Sequence, residues 1–356
     1  MHRSRPSRAP AQVPADGKES AGLGGQPDAS DDMTARGILF VLIAMFAISV
    51  NDTTIKVLSD AYPLHQMVFV RSAIGIAISL VLLRLEGGLA LLRTATPGLH
   101  ALRAGLIVLA NMLFFAALAV LPLAEATALF FIAPLVITLL SIPVLGERVG
   151  PRRIAAILVG LAGVLVILGI GTGERATDGD GTALPLWALA LPLLAACCYA
   201  GMQVLTRKLG VASRASAMAI YIQGSFLVVS AAFFVTVGDG RFEAATGNEA
   251  LRFLLRAWVW PPVEDWPLFG VLGLASGAIG YCLSNAYRLG PPATIASYEY
   301  VVLPLAIFWG WAIWGEVPGL RTLAGIVLIC GAGLYVFLRE RQRARALASA
   351  RPQRRV

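Results

Sequence analysis

Six ionisable side chains fall inside strongly apolar runs: Asp52, Lys56, His65, Arg71, Glu125 and Glu299. A charge within a lipid-embedded helix is costly and normally faces a partner or a water-filled path, so each is a candidate for handling a solute or a proton. Asp52 lies about 9 Å inside the end of the first run, and Arg71 about 12 Å inside the start of the second, at about 1.5 Å per helical residue. Neighbouring antiparallel helices bring the two to one depth. There they act either as a gate that reads substrate charge or as a fixed ion pair between helices. Lys56, one turn beyond Asp52, reads as an interfacial side chain with its ammonium among the headgroups. His65 follows Pro63 by two residues and reads as a solvated interfacial imidazole.

Glu125 opens an apolar run that continues through Thr127, Phe130, Phe131 and Pro134. Its carboxylate either meets the helix dipole or marks a cavity mouth. Glu299 stands between Tyr298 and Tyr300, upstream of Pro304, which frees a backbone carbonyl one turn earlier. A carboxylate between two phenols suits a cationic or hydrogen-bonding solute, or a titrating proton site. Asn111, Gln203, Tyr281 and Asn285 are neutral polar groups at mid-helix depth that bond either a neighbouring helix or a ligand. Trp309 is deep enough to wall a cavity, whereas Trp311 and Trp314 read as interface anchors. The candidate pathway is therefore Asp52, Arg71, Asn111, Glu125, Phe131, Gln203, Tyr281, Asn285, Tyr298, Glu299 and Trp309.

The elements that must hold these groups follow from composition. The chain has 356 residues, 57% hydrophobic and 14% charged, with mean hydropathy +0.74. Soluble domains average about 25% charged residues, so this chain cannot cover a water-facing surface. Apolar runs predict helices near 36–58, 63–84, 99–120, 123–143, 151–170, 184–207, 214–237, 266–289, 291–314 and 318–338. The first run starts after a polar segment and is too long for a cleaved signal peptide, so it reads as a membrane helix. Residues 1–35 are Pro-, Gly- and Ser-rich and read as a disordered tail. Residues 171–183 and 238–265 read as external loops, the second holding an interfacial helix with Trp258 and Trp260 near the headgroups.

The net charge of +8 is unevenly placed. Residues 1–35 carry −1, residues 36–338 carry +3, and the basic tail 339–356 carries +6. No basic domain exists, which excludes nucleic acid as the reason for the excess. With a cytoplasmic N-terminus, inner segments hold ten Lys and Arg against six outside. This places both termini in the cytoplasm.

The chain also repeats itself. Leu145-Gly146-Glu147-Arg148 aligns with Trp314-Gly315-Glu316-Val317 at an offset of 169, with Pro134 and Pro304 upstream. A fainter echo sets Asn51-x-x-Thr54-x-Lys56 against Gln203-x-x-Thr206-x-Lys208. Five helices per copy is an odd number, so the second copy lies inverted in the membrane, with a site expected at the midplane interface. Gly146 and Gly315 end helices, and Glu147 and Glu316 read as hinges or as caps of the next helix. Pro134 and Pro304 read as breaks that let half-helices move.

The run from Leu121 to Leu168, its weaker copy at 291–338, the two mid-helix prolines and the two Gly-Glu pairs resemble the EamA repeat of the drug/metabolite transporter superfamily. The resemblance implies an all-α integral membrane protein of ten transmembrane helices in two inverted five-helix repeats, 36–170 and 184–338. It implies a secondary transporter or exporter of a small polar or amphipathic metabolite, multi-pass in the inner cell membrane. The partners expected are a small-molecule substrate, the lipid bilayer and a second copy in a homodimer. No cofactor or metal is called for: Cys197, Cys198, Cys282 and Cys330 lack ligand spacing and read as small lipid- or core-facing residues. No nucleotide-binding loop or hydrolase motif occurs, which argues against direct ATP drive. Two further readings are an intramembrane enzyme, which needs Asp52, Glu125 or Glu299 to converge on one cavity, and a non-transporting scaffold.

Overall fold

The computed structural model describes residues 29–92, 96–146, 150–169, 184–209, 215–243, 247–289, 295 and 298–349. Among them all regular elements are helical. They are α1 (Ala29–Leu58), α2 (Leu64–Glu86), α3 (Pro97–Leu118), α4 (Leu123–Phe130), α5 (Ala133–Leu145) and α6 (Pro151–Leu168). Next come α7 (Leu186–Leu209), α8 (Ala215–Val237), α9 (Glu249–Leu255), α10 (Trp266–Leu289), α11 (Val302–Trp314) and α12 (Leu320–Ser349).

Local chemistry sets the ends. Pro97 and Pro151 stand at the first helical positions, where the missing N–H costs nothing. Gly146 and Gly315 close α5 and α11 with φ of 69° and 70°, left-handed conformations that a side chain would strain. Both were expected as helix ends. Three boundaries differ from expectation. Helix α1 begins at Ala29, taking up residues assigned to the tail, and α12 runs on through Ser349 into the basic tail. The run expected as one helix over 123–143 breaks at Phe131–Ile132, so Pro134 sits in the first turn of α5 instead of inside a helix. There it needs no backbone partner. Glu299–Val301 form a 3-10 turn leading into α11, and Pro291 lies outside the described residues.

Seven segments among the described residues have the length and apolarity to cross a bilayer: Ala35–Leu58, Leu64–Leu85, Pro97–Leu118, Leu123–Val144, Leu186–Leu205, Ala219–Val237 and Val263–Leu283. Ile154–Leu168, Glu299–Trp314 and Leu320–Val336 are shorter apolar helices. Val81, Leu85, Leu158, Val228, Val235 and Val327 stand exposed around the outside. A water-soluble surface would not leave so much apolar area bare, whereas lipid tails solvate it without cost. The chain is a multi-pass membrane protein.

The helices pair by close backbone approach. Helix α1 packs along α10, α3 along α7, α2 against α8 and α10, α6 against α12, α4 and α5 against α7, and α11 against α1 and α4. A Cβ on Gly163 of α6 would lie 2.9 Å from the Gly325 carbonyl oxygen of α12. A Cβ on Gly277 would lie 2.5 Å from Ile78. Small residues at such crossings let helices approach where lipid supplies no hydrophobic drive.

The segment after α8 folds back over one end of the bundle. Asn248 caps α9 through its side chain, and Phe253 is wholly buried. Gln66 donates to the Val259 carbonyl and accepts from the Val259 N–H, and Arg256 donates to the Ser59 and Asp60 carbonyls. Tyr62 donates to Asp265. The interfacial helix was expected; the docking of its flanks was not. Trp258 packs on His65, Phe69 and Phe234 instead of standing free among headgroups, while Trp260 is exposed.

Candidate functional site

The sequence candidates resolve into three groups. The first surrounds Arg71, which is 5% exposed. Its guanidinium donates from Nη1 to Asn51 Oδ1 at 3.0 Å and from Nη2 to Asn111 Oδ1 at 2.8 Å. Phe115 and Phe226 flank it at 5.2 and 5.3 Å. Asp52 takes a hydrogen bond from Asn51 Nδ2 at 3.0 Å and makes no ion pair with Arg71. The expected Asp52–Arg71 pair is therefore replaced by a chain in which Asn51 stands between them. The two charges still attract, but the guanidinium keeps two amides and two ring faces as its immediate company. Its Nε makes no hydrogen bond among the described residues.

The second group ties distant segments together at one end of the bundle. Lys56 Nζ lies 2.8 Å from Glu316 Oε1 and 2.9 Å from the Leu121 carbonyl oxygen, with the Trp314 ring at 4.8 Å. Glu316 Oε2 accepts from the Leu123 N–H at 3.2 Å. Glu125, 4% exposed, lies beside this pair and interacts electrostatically with both charges and with Thr322. Two expectations are corrected here. Lys56 is not an interfacial side chain reaching for headgroups, because a carboxylate and a carbonyl within the protein satisfy its ammonium. Glu316 does not merely cap the next helix: left-handed Gly315 turns it back onto α1 and the start of α4. Glu147, its counterpart in the first copy, lies outside the described residues.

The third group is aromatic. Phe131 meets Tyr300 at 5.4 Å, Phe130 meets Tyr199 at 5.4 Å, and Phe114 meets Phe130 at 5.2 Å. Glu299 interacts electrostatically with the Tyr199 and Tyr300 phenols, and the Tyr199 hydroxyl accepts from Gln203 at 2.7 Å. The break at Phe131–Ile132 and the 3-10 turn at Glu299–Val301 meet here through the Phe131–Tyr300 contact, and both irregular stretches are half-buried, apart from the buried Ile132. Trp309 Nε1 donates to Ser49 at 3.3 Å across to α1. Pro304, in the first turn of α11, is exposed and faces away from this group.

The remaining candidates lie apart. Tyr281 is 40% exposed against Phe40, and Asn285 donates back to the Tyr281 carbonyl. Tyr298 packs with Val41, Cys282 and Ile295 in a second, smaller core cluster. His65, expected to be solvated, is 3% exposed. Neither ring nitrogen makes a hydrogen bond of ordinary geometry, although the Leu254 backbone is close.

Reading the sequence missed Phe115, Phe226 and Tyr199. Helical spacing contained part of the signal: Phe115 is one turn from Asn111, and Tyr199 one turn from Gln203. Outside the spans, burial and the nearby Asp265 carboxylate push the Tyr62 phenol up to about 12.

Fold and site together define a multi-pass helical membrane protein with charged groups held in its interior. Residues 35–169 match the model of the EamA-like transporter family. Along most of its length the chain is similar to a riboflavin transporter of Rhizobium johnstonii, 28% identical over 87% of this chain and 93% of that one. It is similar to the pseudopaline exporter CntI of Pseudomonas aeruginosa, 29% identical over 84% and 94%. A third relative is an S-adenosylmethionine uptake transporter of Rickettsia prowazekii, 24% identical over 86% and 94%. A solved crystal structure aligns with a TM-score of 0.54 over 89% of this chain and 99% of that chain, at 21% identity, a likeness of fold. The resemblance to the EamA repeat and the drug/metabolite transporter superfamily therefore holds.

Proposed function

We propose that this protein is a secondary transporter or exporter of a small polar or amphipathic metabolite. It works by alternating access between two inverted five-helix repeats, 36–170 and 184–338, making ten membrane helices with both termini in the cytoplasm of a bacterial cell. The observation that carries this is the Lys56–Glu316 bridge. It joins α1 and the α3–α4 turn of one repeat to the α11–α12 turn of the other, at a single end of the bundle. A contact of that kind closes one side of a two-sided path and must break for the path to open there.

Helix pairing supports the inverted arrangement. Exchanging the repeats exchanges α1 with α7, α3 with α10 and α4–α5 with α11. The α1–α10 pair then becomes α7–α3, and the α1–α11 pair becomes α7–α4. The α2–α8 and α6–α12 pairs map onto themselves. The relatives are named as transporters, which favours transport over intramembrane chemistry. Asp52, Glu125 and Glu299 also fall in three different contact groups instead of one catalytic centre.

Purified protein in liposomes is the test. Riboflavin and S-adenosylmethionine, the solutes named for two relatives, are first probes, with a wider metabolite panel after them under imposed pH and solute gradients. Flux above that of empty liposomes is expected for at least one solute. No movement of any solute in either direction overturns the proposal.

A further inference from the structure

Beside the Lys56–Glu316 bridge stands a second carboxyl that the bridge does not use. Lys56 Nζ bonds the Leu121 carbonyl at 2.9 Å, and Glu316 Oε2 takes the Leu123 N–H at 3.2 Å, so both charges sit on the turn that leads into α4. Glu125 follows in the first turn of α4, 4% exposed, and interacts electrostatically with both. Among the described residues its Oε2 is buried without a hydrogen-bond partner, although the Thr322 hydroxyl and its own N–H lie near the carboxyl. Helices α3, α6, α7, α11 and α12 pack on α4. Helix α11 has no ionisable residue, α3 and α6 carry theirs in their first two turns, α7 brings Tyr199 onto Phe130, and α12 has Arg321 and Thr322 in its first turn. The charges that act on Glu125 are Lys56 and Glu316.

Two carboxyls therefore share one ammonium in a place where Glu125 and Lys56 are almost wholly withdrawn from water. Glu316 is the ionised member: at 23% exposed it is the wetter of the two, and each of its oxygens has a donor. An ionised Glu125 would leave the cluster with an uncompensated negative charge and a buried oxygen without a donor, which burial penalises heavily. A proton on Oε2 would remove the charge and leave a neutral hydroxyl. We propose that Glu125 is a proton-binding residue that alternates with Glu316 as the partner of Lys56. With the bridge closed, Oε2 carries a proton. When Glu316 swings away, Lys56 and Glu125 stay together, because both belong to the segment 36–170. The Oε2–H bond then breaks, its proton passes to entering water, and the carboxylate takes the ammonium. Opening this side releases one proton, and protonation of Glu125 frees Lys56 to close it again. The inference rests on the transport reading, in which the bridge shuts one side of the path.

Two readouts on the purified full chain in lipid nanodiscs test this, and neither is flux. The first is the infrared carbonyl stretch of a protonated carboxyl, expected in the wild type at neutral pH. Glu125→Gln removes that band, and Glu125→Asp moves it. The second is the distance between spin labels on Ala61→Cys and Leu320→Cys, exposed positions in the α1–α2 turn and at the start of α12, with the four native cysteines replaced by alanine. From about pH 9 to about pH 5 the closed distance should gain on the open one by about tenfold or more, since closure binds one proton and each pH unit is worth at most about tenfold. Glu125→Gln, neutral at every pH, should hold the closed distance throughout. A wild type without the band, a band that both variants leave unchanged, or a label distance that ignores pH in the wild type or follows it equally in Glu125→Gln overturns the proposal. Should Glu125→Gln fail to fold, the band of Glu125→Asp decides: moved, it supports the proton site, and unmoved, it refutes it. A chain with the band and the pH-dependent closure that moves no solute in liposomes refutes the transport reading alone. One that moves solute with neither refutes the proton site alone.

Discussion

Replacing Lys56 by Met tests the bridge on which the transport reading depends. The ammonium makes two hydrogen bonds, at 2.8 and 2.9 Å, one of them to a carboxylate, and the side chain is 10% exposed. Truncating one partner of a buried ion pair costs about 3–5 kcal/mol because it strands the other charge. Glu316 is 23% exposed and keeps the Leu123 N–H, so water and one amide still serve it. The loss on Lys56→Met is therefore expected near the lower end, about 3 kcal/mol. Glu316→Gln keeps an acceptor for Lys56 and costs about 1 kcal/mol, the worth of one hydrogen bond. Reversible unfolding in mixed micelles, run as a double-mutant cycle, should give a coupling energy of about 1.5–3 kcal/mol, the range for a hydrogen bond to a charged group. Additive losses, with coupling under about 0.5 kcal/mol, would show that the pair holds nothing together and refute the reasoning.

The packing and the outer loop set three other outcomes. Gly163→Leu forces a side chain where the Gly325 carbonyl oxygen stands 2.9 Å from a Cβ. Since backbone cannot yield as a side-chain tip can, the thermal midpoint should fall, with a loss of about 1–3 kcal/mol typical of overpacking. Gln66→Ala removes both hydrogen bonds to Val259, so limited proteolysis should cut within 256–262 faster than in the wild type; equal rates would mean that the segment is held elsewhere. Tyr62 is pushed up to about 12 in the folded chain, against about 10 unfolded, so ionisation favours the unfolded state as pH rises past 10. Stability should decline between pH 10 and 12, and Tyr62→Phe should flatten that decline in unfolding midpoints measured across the range.

Much of the architecture was legible because a bilayer constrains sequence directly. Runs of apolar residues, prolines at helix starts and glycines at Gly146 and Gly315 state where helices lie and where they end, and the structure keeps nearly all of them. The break at Phe131–Ile132 was announced only as Pro134, three residues late, since Pro fits the first turn of a new helix as well as it disrupts an old one. Site residues were legible as types and depths. Arg71, Asp52, Lys56 and Glu125 are conspicuous charges in apolar surroundings, whatever they contact.

The partners of those charges were a different matter. Equal depth suggested that Arg71 would meet Asp52, yet helix rotation placed Asn51 between them, a matter of about 100° per residue that depth does not contain. Lys56 finds Glu316 across 260 residues of chain, and Gln66 finds Val259 across 193. No local periodicity records such encounters. By itself, then, the sequence determined the helices, their approximate span and the presence of buried charge, because each depends on a segment and its solvent. The tertiary structure alone decided which charges are paired, which is left with amides and rings, and what closes over one end, because those depend on how rigid helices rotate and cross when their small residues come into contact.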